Sequence, residues 1–491
     1  MIVSSPCGSL ELLDAELEPP GARLDLFIDI DGSQFFPAVT APSPASVERV
    51  VWSGRFDLVG SEPVIVSTWP RQLGQRSVSG PLGPRVTSYG AVLVGREDGA
   101  WLFIAGVSQQ FDDLVFELSP PDRLTIVWGG TGPRNLPQDG RAFFDPITVA
   151  LGPNPSDLLE HWRTEMTATN APEPFGGPLS LFGPVKTPDE LDALVAADPE
   201  GRVPIVLTDV VTATVRARVD DANRRWMVRI DPFVSDADGP VLRLDGVPLR
   251  MDGHPIVDPT TTQGLAIIQA QAEALVRAGV DGAWVVGAPA LAWPADRSAP
   301  TQSGIAAYRL GLQAFRTGFG NRPIVVEAAL PLASRGLADA VALPMSTSAA
   351  TRVATLSAFA PLGSDVLRLG PMPLAAEAPA AVGLDLAIAV ANGGDLYLGA
   401  YPNDPVVESW LFDDANSPLL TVMGTATEVH PPWARMAAKF VGTAGMTTLL
   451  NAARSPIDLD GPGGERWPDG EIAGPGSRTL PSGTGEIWLP R

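Results

Sequence analysis

The feature that most constrains the fold is a change of hydrophobic pattern at Leu151. Before this residue, short alternating or apolar segments are separated by Gly and Pro, and long helical periodicity is absent. This spacing predicts a large N-terminal β-sandwich, of the supersandwich type, over residues 1–148. After it, Pro155–Met166 has the spacing of a half-buried helix, so residues 149–174 are predicted to form a linking helix and loop.

From there to about residue 445, short apolar segments alternate with helical ones. The predicted strands are Leu179–Phe182, Val203–Leu207, Trp226–Ile230, Gly282–Val286, Ile324–Glu327, Ala340–Leu343, Asp365–Leu369 and Leu396–Gly399. The predicted helices between them include Pro188–Ala196, Thr262–Ala278, Thr301–Phe319, Ala349–Phe359 and Ala376–Val390. This alternation predicts a (β/α)8 TIM barrel over residues 175–445.

Three shorter segments complete the predicted layout. The insert Leu242–Asp252 has two apolar arms around turn residues and predicts a hairpin inside a barrel loop. A helix is expected to begin after Pro432 and to close the barrel at about Thr443. Residues 446–491, rich in Gly, Pro, Asp and Ser, are predicted to form a short C-terminal β/coil tail, either a reduced β-element or an extended arm.

The charge of the chain excludes two classes of partner. Lys and Arg number 34 against 56 Asp and Glu, a formal net charge of −22 over 491 residues. Such a surface repels nucleic acid and anionic lipid, so neither nucleic acid nor a membrane is an expected partner. Apolar runs such as Leu386–Ala391 are far shorter than the roughly 20 residues of a membrane span. Because no secretory signal is visible at the N-terminus, a cytoplasmic protein is expected.

The residues that usually bind metals or cofactors are sparse. Cys7 is the only cysteine, so an internal disulfide framework is not expected. His161, His254 and His430 are far apart, and no spacing of Cys and His resembles a zinc site. No glycine-rich phosphate loop stands out. The sequence therefore predicts no metal and no cofactor.

The stretch Gly279–Pro289 reads Gly-Val-Asp-Gly-Ala-Trp-Val-Val-Gly-Ala-Pro and follows a predicted helix. Together with the order of sandwich, linking helix and barrel, it resembles the melibiase family of glycoside hydrolases, which includes the α-galactosidases. The family's motif is Gly-Val-Asp-Tyr-x-Lys-x-Asp-Phe, and its last Asp is the nucleophile. At these positions the present chain has Trp284 for Lys and Val286 for the nucleophile. The resemblance implies a nucleophile strand whose nucleophile is missing.

The family's second catalytic carboxylate also lacks a counterpart. Its motif Asp-x-x-Arg-x-x-x-Asp begins here at Asp339, but Ala342 replaces the Arg and Ser346 replaces the final Asp. Of the family's Asp-Asp-Gly, only Asp209 is present. Retaining hydrolysis needs one ionised carboxylate and one protonated carboxyl about 5 Å apart. Val286 and Ser346 cannot supply them.

Four other carboxylates are candidates for a relocated catalytic pair, because each follows or ends an apolar run at the predicted carboxyl edge of the barrel. They are Asp209, Asp231, Asp258 and Glu327. The competing interpretation is structural, since Asp231 and Asp258 are well placed to cap the following turn. Asp209, Trp284 and Trp293 are candidate ligand-binding residues, although a Trp on a buried strand more often fills a core.

These patterns support three functional hypotheses. The first is a melibiase homologue without catalytic residues, which binds carbohydrate or serves as a scaffold. The second is an active α-galactosidase-type glycosidase with relocated carboxylates. The third is a purely structural assembly subunit, in which the β-domain mediates homo-oligomer formation. Fold alone does not decide between them, because function depends on the site.

Overall fold

The computed structural model describes residues 2–18, 22–28, 34–168, 179–198, 201, 203–235, 239–344, 346–374, 379–393, 396–398, 426–431, 433, 435–442, 445–467 and 471–490. The N-terminal strands are β1 (Ile2–Ser5), β2 (Gly8–Glu18), β3 (Arg23–Ile28), β4 (Gln34–Ala41), β5 (Ala45–Leu58), β6 (Ile65–Thr68), β7 (Ser79–Pro81), β8 (Val86–Tyr89), β9 (Ala91–Gly95), β10 (Trp101–Gly106), β11 (Leu114–Ser119), β12 (Arg123–Leu136), β13 (Gly140–Phe143) and β14 (Ile147–Gly152).

The N-terminal strands form two antiparallel sheets. One has six strands in the order β1-β2-β5-β12-β11-β8, and the other has the order β13-β4-β14-β10-β9-β6-β7, with β3 paired to β4. Buried and exposed residues alternate along most of β5 and β12, as expected for strands with one solvated face. The buried side chains of both sheets form one hydrophobic cluster, which includes Trp52 and Trp128 from the first sheet and Phe35 and Ile104 from the second.

A helix, α1 (Pro155–Ala168), leads from the N-terminal sheets into the next part of the chain. Its predicted apolar face is confirmed, because Leu158, Leu159 and Trp162 are buried. The indole N–H of Trp162 donates to the carbonyl of Gly106 at 2.9 Å, which fixes the helix to β10. Residues 169–174 of the predicted linker lie outside the described residues.

The middle of the chain alternates strands and helices. Its strands are β15 (Leu181–Val185), β16 (Ile205–Thr208), β17 (Arg225–Ile230), the hairpin strands β18 (Arg243–Leu244), β19 (Val247–Pro248), β20 (Arg250–Met251) and β21 (His254–Pro255), then β22 (Gly282–Val285), β23 (Ile324–Glu327), β24 (Ala340–Ala342), β25 (Met372–Leu374) and β26 (Leu396–Leu398). Its helices are α2 (Pro188–Ala197), α3 (Ala213–Asp221), α4 (Thr262–Arg277), α5 (Gly304–Phe319), α6 (Pro331–Ser334), α7 (Ala349–Phe359) and α8 (Pro379–Ala391), with single 3₁₀ turns at Ala288–Ala292 and Ala360–Leu362.

Eight of these strands form one parallel sheet in the order β24-β23-β22-β17-β16-β15-β26-β25. Because all the strands point the same way, their carboxyl ends meet at a single edge, here called the carboxyl edge. Apolar side chains from one face of the sheet, among them Leu207, Met227, Trp284 and Val325, form a separate buried cluster. A parallel backbone bridge also joins Val341 of the terminal strand β24 to Leu369.

The predicted strand Asp365–Leu369 is wrong. The chain turns there, with the N–H groups of Val366 and Leu367 both donating to the carbonyl of Gly363. Only Leu369 reaches the sheet, and the strand β25 begins three residues later. The other predicted barrel strands each overlap an observed strand.

The C-terminal strands are β27 (Ala426–His430), β28 (Ala437–Gly442), β29 (Thr447–Asn451), β30 (Ile457–Gly461), β31 (Gly464–Trp467), β32 (Glu471–Ala473), β33 (Gly476–Leu480) and β34 (Thr484–Leu489). Six of them form an antiparallel sheet in the order β27-β28-β29-β34-β31-β32, and β30 pairs with β33.

The helix predicted between Pro432 and Thr443 is wrong, and both of these end residues lie outside the described part of the chain. Ala437–Gly442 is a strand with a partner on each side, β27 and β29. Its Ala-rich sequence favours a helix locally, but two rows of backbone hydrogen bonds and burial of Phe440 outweigh that preference. None of the helices in the described ranges has the length and apolarity that crossing a membrane requires.

Candidate functional site

The first aspartate of each of the two quoted motifs lies at the amino edge of the parallel sheet. Asp281, just before β22, accepts the backbone N–H of Trp226 at 2.9 Å and pairs with Arg216 at 3.0 Å. Asp339, just before β24, accepts the backbone N–H of Ile324 at 2.8 Å and pairs with Arg316 at 2.5 Å. These aspartates join neighbouring strands to an outer helix. In parallel α/β sheets this edge contributes to stability, and active sites form at the other edge.

Polar side chains gather at the carboxyl edge. Side chains alternate between the two faces of a strand, so Arg229 and Glu327 continue the face that Met227 and Val325 occupy two residues earlier. Val286 continues the same face from Trp284 and packs against the buried cluster. The carboxyl edge therefore brings together residues from three neighbouring strands.

Glu327, the last residue of β23, is held by two side chains from neighbouring strands. Its Oε2 accepts the indole N–H of Trp284 at 2.6 Å, and its Oε1 lies 3.6 Å from Nη2 of Arg229. The Glu327 side chain is 16% exposed and that of Arg229 is 39% exposed, so the pair opens to solvent. The next residue, Ala328, has φ of 53°, a conformation that a non-glycine residue adopts only when its surroundings enforce it.

Trp284, predicted as a ligand-binding residue, has no accessible face. Its ring is fully buried and lies 5.0 Å from the ring of Tyr397, with an interplanar angle of 51°. A sugar cannot stack on a covered ring, so this part of the prediction is corrected. Trp284 instead fills the sheet's inner face and orients Glu327 through its N–H.

Tyr397 lies beside the same carboxylates. Burial raises the pKa of its hydroxyl well above the usual value, and the negative charges of Glu327 and Asp209 raise it further, whereas Arg229 opposes them. The predicted residue Asp209 therefore belongs to this electrostatic environment. It follows the last residue of β16 and is exposed.

Asp231 lies just beyond β17 and differs from Glu327 in its environment. Its Oδ1 accepts the backbone N–H of Phe233 at 3.0 Å. Burial is the main reason why the pKa of Asp231 is raised to about 6, and the charge of Asp252 adds to it. His254 and Arg229 oppose the shift. Near pH 6 the Asp231 carboxyl is therefore partly protonated, whereas most carboxyls are fully ionised at that pH.

The loop after β17 contains two consecutive hairpins rather than the single predicted one. The turns Asp245-Gly246 and Asp252-Gly253 have positive φ at both central residues, which is the type I′ geometry that two-residue hairpins favour. The second hairpin, β20–β21, carries Asp252 and His254 to Asp231. It also touches the next strand, because a Cβ at Gly287 would lie 2.5 Å from Met251 Cε and 2.5 Å from Asp231 Oδ2.

Asp258, another predicted relocated carboxylate, has a structural role. It is 1% exposed, and its Oδ1 accepts both the N–H of Thr260 at 2.9 Å and the hydroxyl of Thr260 at 2.6 Å. Its Oδ2 accepts the N–H of Ser298 at 2.8 Å. Both oxygens are saturated by loop atoms, so the prediction that Asp258 contacts a substrate is corrected.

Val286 and Ser346, where the resemblance predicts that the family's catalytic carboxylates are replaced, both follow strand ends of the carboxyl edge. Val286 comes directly after β22, and its N–H donates to the carbonyl of Ile230 at 2.9 Å. Ser346 lies four residues beyond β24, exposed, in a turn that a hydrogen bond from Thr347 to Pro344 closes. Neither side chain has an acid–base group, so no carboxylate stands at either position.

Trp293 follows the 3₁₀ turn Ala288–Ala292 and is 38% exposed, so its ring is accessible to a ligand. Its carbonyl accepts from the Arg297 guanidinium at 2.7 Å.

The sequence analysis does not identify Arg229 and Tyr397. A charged residue near the end of an otherwise apolar strand was the available signal for Arg229. Within the described residues, no group of His, Cys, Asp and Glu is arranged to hold a metal ion.

No family model matches the sequence, and no curated protein sequence matches it. Solved structures do match. TtGalA from Thermus thermophilus, an α-galactosidase in complex with p-nitrophenyl α-D-galactopyranoside, is 14% identical with a TM-score of 0.57, over 90% of this chain and 98% of that chain. A variant of the GH36 α-galactosidase AgaA from Geobacillus stearothermophilus, in complex with 1-deoxygalactonojirimycin, is 10% identical with a TM-score of 0.63, over 99% and 89% of the two chains.

The galactosidase domain of the α-galactosidase-sucrose kinase AgaSK is 9% identical with a TM-score of 0.59, over 97% of this chain and 85% of that chain. At such identities the similarity establishes the fold alone. It agrees with the resemblance found in the sequence motifs. The chain has the fold of the α-galactosidase-like glycoside hydrolases.

Proposed function

We propose that this chain binds a saccharide at the carboxyl edge of its parallel sheet and does not hydrolyse galactosides by the two-carboxylate mechanism of melibiases. One observation carries this proposal. At the positions of the family's Lys and nucleophile, Trp284 is fully buried and Val286 packs against the apolar cluster. No ionisable group is present there to form a covalent glycosyl intermediate.

The proposal includes the architecture that the sequence predicts. The parallel sheet is inferred to close into a (β/α)8 barrel, because the bridge between Val341 and Leu369 joins one terminal strand to the segment before the other. The two N-terminal sheets are inferred to form a sandwich, since their side chains share one core. A barrel would converge the ends of β16, β17, β22 and β23 on one mouth.

The mouth offers the polar groups that a sugar requires. The Glu327 carboxylate and the Arg229 guanidinium supply an acceptor and donors in fixed positions, and Asp209 and Asp231 add acceptors. Paired acceptors and donors of this kind bind vicinal hydroxyls. Structural neighbours are complexes with an α-galactoside and with stachyose, which suggests galactosides as the first ligands to test.

A second candidate function is hydrolysis by relocated carboxylates. It is favoured by the different environments of Glu327 and Asp231. Glu327 is paired with a cation, whereas the pKa of Asp231 is raised to about 6. A carboxylate beside a cation and a second carboxyl with a raised pKa are the arrangement that glycosidases use for nucleophile and acid. In this mechanism the Glu327 carboxylate would attack the anomeric carbon of the sugar, and the Asp231 carboxyl would protonate the glycosidic oxygen of the leaving group.

Calorimetric titration with methyl α-galactoside and raffinose, run beside a turnover assay with nitrophenyl α-galactoside, distinguishes the two functions. We expect binding without turnover, and loss of binding in Glu327→Gln. Glu117→Gln, which changes a carboxylate on the N-terminal strand β11, is the control and should bind normally. Absence of binding to any saccharide refutes the leading proposal. Turnover that disappears in both Glu327→Gln and Asp231→Asn establishes the second function.

A further inference from the structure

A cleft of about 850 Å³ lies between the N-terminal and the C-terminal strands, away from the carboxyl edge. Its walls come from three parts of the chain. They are Glu97 with the start of β10, the first turns of α1, and the C-terminal strands β27, β28 and β30. None of the described residues that line it belongs to the carboxyl-edge site. Its volume lies in the range of about 300–1,000 Å³ that is typical of small-molecule sites.

The lining of the cleft is strongly negative. Six exposed carboxylates line it, namely Glu97, Asp157, Glu160, Glu428, Asp458 and Asp460. Among the described lining residues, Lys439 is the one with a permanent positive charge, so six carboxylates face one ammonium group. In the described part of the chain, Glu160 alone of the six pairs with an arginine, Arg163, at 3.3 Å. Most of this negative charge therefore lacks a cationic partner within the protein.

The carboxylates are distributed over the walls of the cleft. Asp458 and Asp460 are two residues apart on β30 and share one face of that strand, whereas Glu428 is on β27. Asp157 is in the first turn of α1, where it offsets the positive end of the helix. Within the described ranges, no group of three His, Cys, Asp or Glu side chains is arranged to hold a metal ion. A compact cation would meet few of these carboxylates, whereas an extended one can reach several.

An aromatic pair forms part of the apolar wall. Trp433 is half-buried and stacks on the buried ring of Trp101, with ring centroids 4.8 Å apart and an interplanar angle of 28°. The hydroxyl of Ser67 donates to the carbonyl of Trp433 at 2.8 Å and fixes this segment to the N-terminal strand β6. Pro431 and Leu459 extend the apolar surface. An indole face binds organic ammonium groups, and the apolar neighbours suit methylene chains.

We propose that this cleft binds a linear alkyl polyamine, with its ammonium groups on the carboxylates and its methylene segments against Trp433 and the neighbouring apolar side chains. The charge of the lining selects a cation, because a neutral or anionic ligand would leave the carboxylates without a counter-charge. Their distribution selects a ligand with several ammonium groups, and the aromatic wall selects an organic ion over a metal ion. This inference is independent of the proposed saccharide site.

The test is calorimetric titration of the full chain with putrescine, spermidine and spermine at one fixed ionic strength. We expect affinity to rise about two- to fivefold with each added amine, as for an exposed ion pair. Asp458→Asn combined with Asp460→Asn should weaken spermine binding about tenfold, since two such pairs are lost. Trp433→Leu should weaken it about two- to fivefold through loss of the cation–π contact. The matched control is Glu48→Gln with Asp57→Asn, which removes the same charge from exposed positions of β5 and should bind spermine like the wild type.

Three results would overturn the inference. The first is absence of binding by all three polyamines. The second is equal weakening in the cleft variant and in the control variant, because the attraction would then be to the whole surface of net charge −22. The third is full displacement of spermine by magnesium at the same concentration of charge, which would indicate loosely held counterions. Saccharide titration of the Asp458→Asn and Asp460→Asn variant should match the wild type, so either site can fail without the other.

Discussion

Replacement of Trp284 by Phe tests whether this buried ring orients Glu327. Trp284 is fully buried, and its indole N–H donates to Glu327 Oε2 at 2.6 Å. Removing a hydrogen bond to a charged group costs about 1.5–3 kcal/mol. The smaller ring leaves a cavity that costs about another 1–2 kcal/mol. We therefore expect Trp284→Phe to lose about 3–4 kcal/mol of stability and most of the saccharide affinity.

The neighbouring strand offers a matched control. Trp226 is also fully buried, but its N–H donates to the neutral hydroxyl of Thr208 at 2.9 Å. Trp226→Phe creates a similar cavity and loses only a neutral hydrogen bond, worth about 1 kcal/mol. It should therefore be less destabilising than Trp284→Phe by about 1 kcal/mol and should bind saccharide normally.

Scanning calorimetry and saccharide titration of both variants, and of each combined with Glu327→Gln, measure these effects. If Trp284 acts through Glu327, the double variant Trp284→Phe with Glu327→Gln should be more stable than the sum of the single effects predicts, because Glu327→Gln removes the charge that strengthens the hydrogen bond which Trp284→Phe deletes. Trp226→Phe with Glu327→Gln should be additive. Additivity in both pairs, or equal loss of binding in Trp284→Phe and Trp226→Phe, would refute the positioning role.

Three further predictions concern single substitutions at Asp231, Asp258 and Val286. The folded-state pKa of Asp231 is raised from 3.8 to about 6, so its ionisation in the folded state opposes folding, and this penalty grows as pH rises from about 4 to above 6. Asp231→Asn should therefore raise the thermal midpoint at pH 7.5 and leave it nearly unchanged at pH 4, and calorimetry at both values checks this. Asp258→Ala should cost about 3 kcal/mol, because the N–H groups of Thr260 and Ser298 lose the buried Asp258 carboxylate as their charged acceptor; an unchanged unfolding midpoint would contradict it. Val286→Asp should not produce turnover of nitrophenyl α-galactoside, since the acid and the family's Lys are still absent; turnover above that of the wild type would contradict this.

The alternation of strands and helices could be predicted from the sequence because most strands carry their own signal. Ile324–Glu327 is a short run of β-branched residues after Pro323, and the observed strand has the same limits. Met372–Leu374 lacks such a run, and its neighbouring prolines hide it. Local propensity predicts a helix over Ala437–Gly442, because it does not report the hydrogen bonds to the two partner strands that make this segment a strand.

The candidate site was predictable in position and only partly in chemistry. Polar residues at strand ends identified Asp209, Asp231 and Glu327 as residues of the carboxyl edge. The sequence alone does not indicate the role of Trp284. Its hydrogen-bond partner Glu327 lies 43 residues away in sequence, on the adjacent strand of the sheet. Asp258 has the same local pattern as Asp231, and only tertiary contacts show that its oxygens are saturated by loop atoms.

The two edges of the parallel sheet place different structural demands on the residues of the two quoted motifs. Asp281 and Asp339 each join two strands and an outer helix at the amino edge, so replacing either one would leave buried backbone donors and an arginine without a partner. Val286 and Ser346 lie at the carboxyl edge, where the side chain makes no such connection. A carboxylate at Val286 would lie against the apolar cluster on which the valine side chain packs, which disfavours its ionised form. Folding therefore depends on the aspartate that each motif places at the amino edge, whereas at the carboxyl edge it sets no comparable requirement for a carboxylate at Val286 or Ser346.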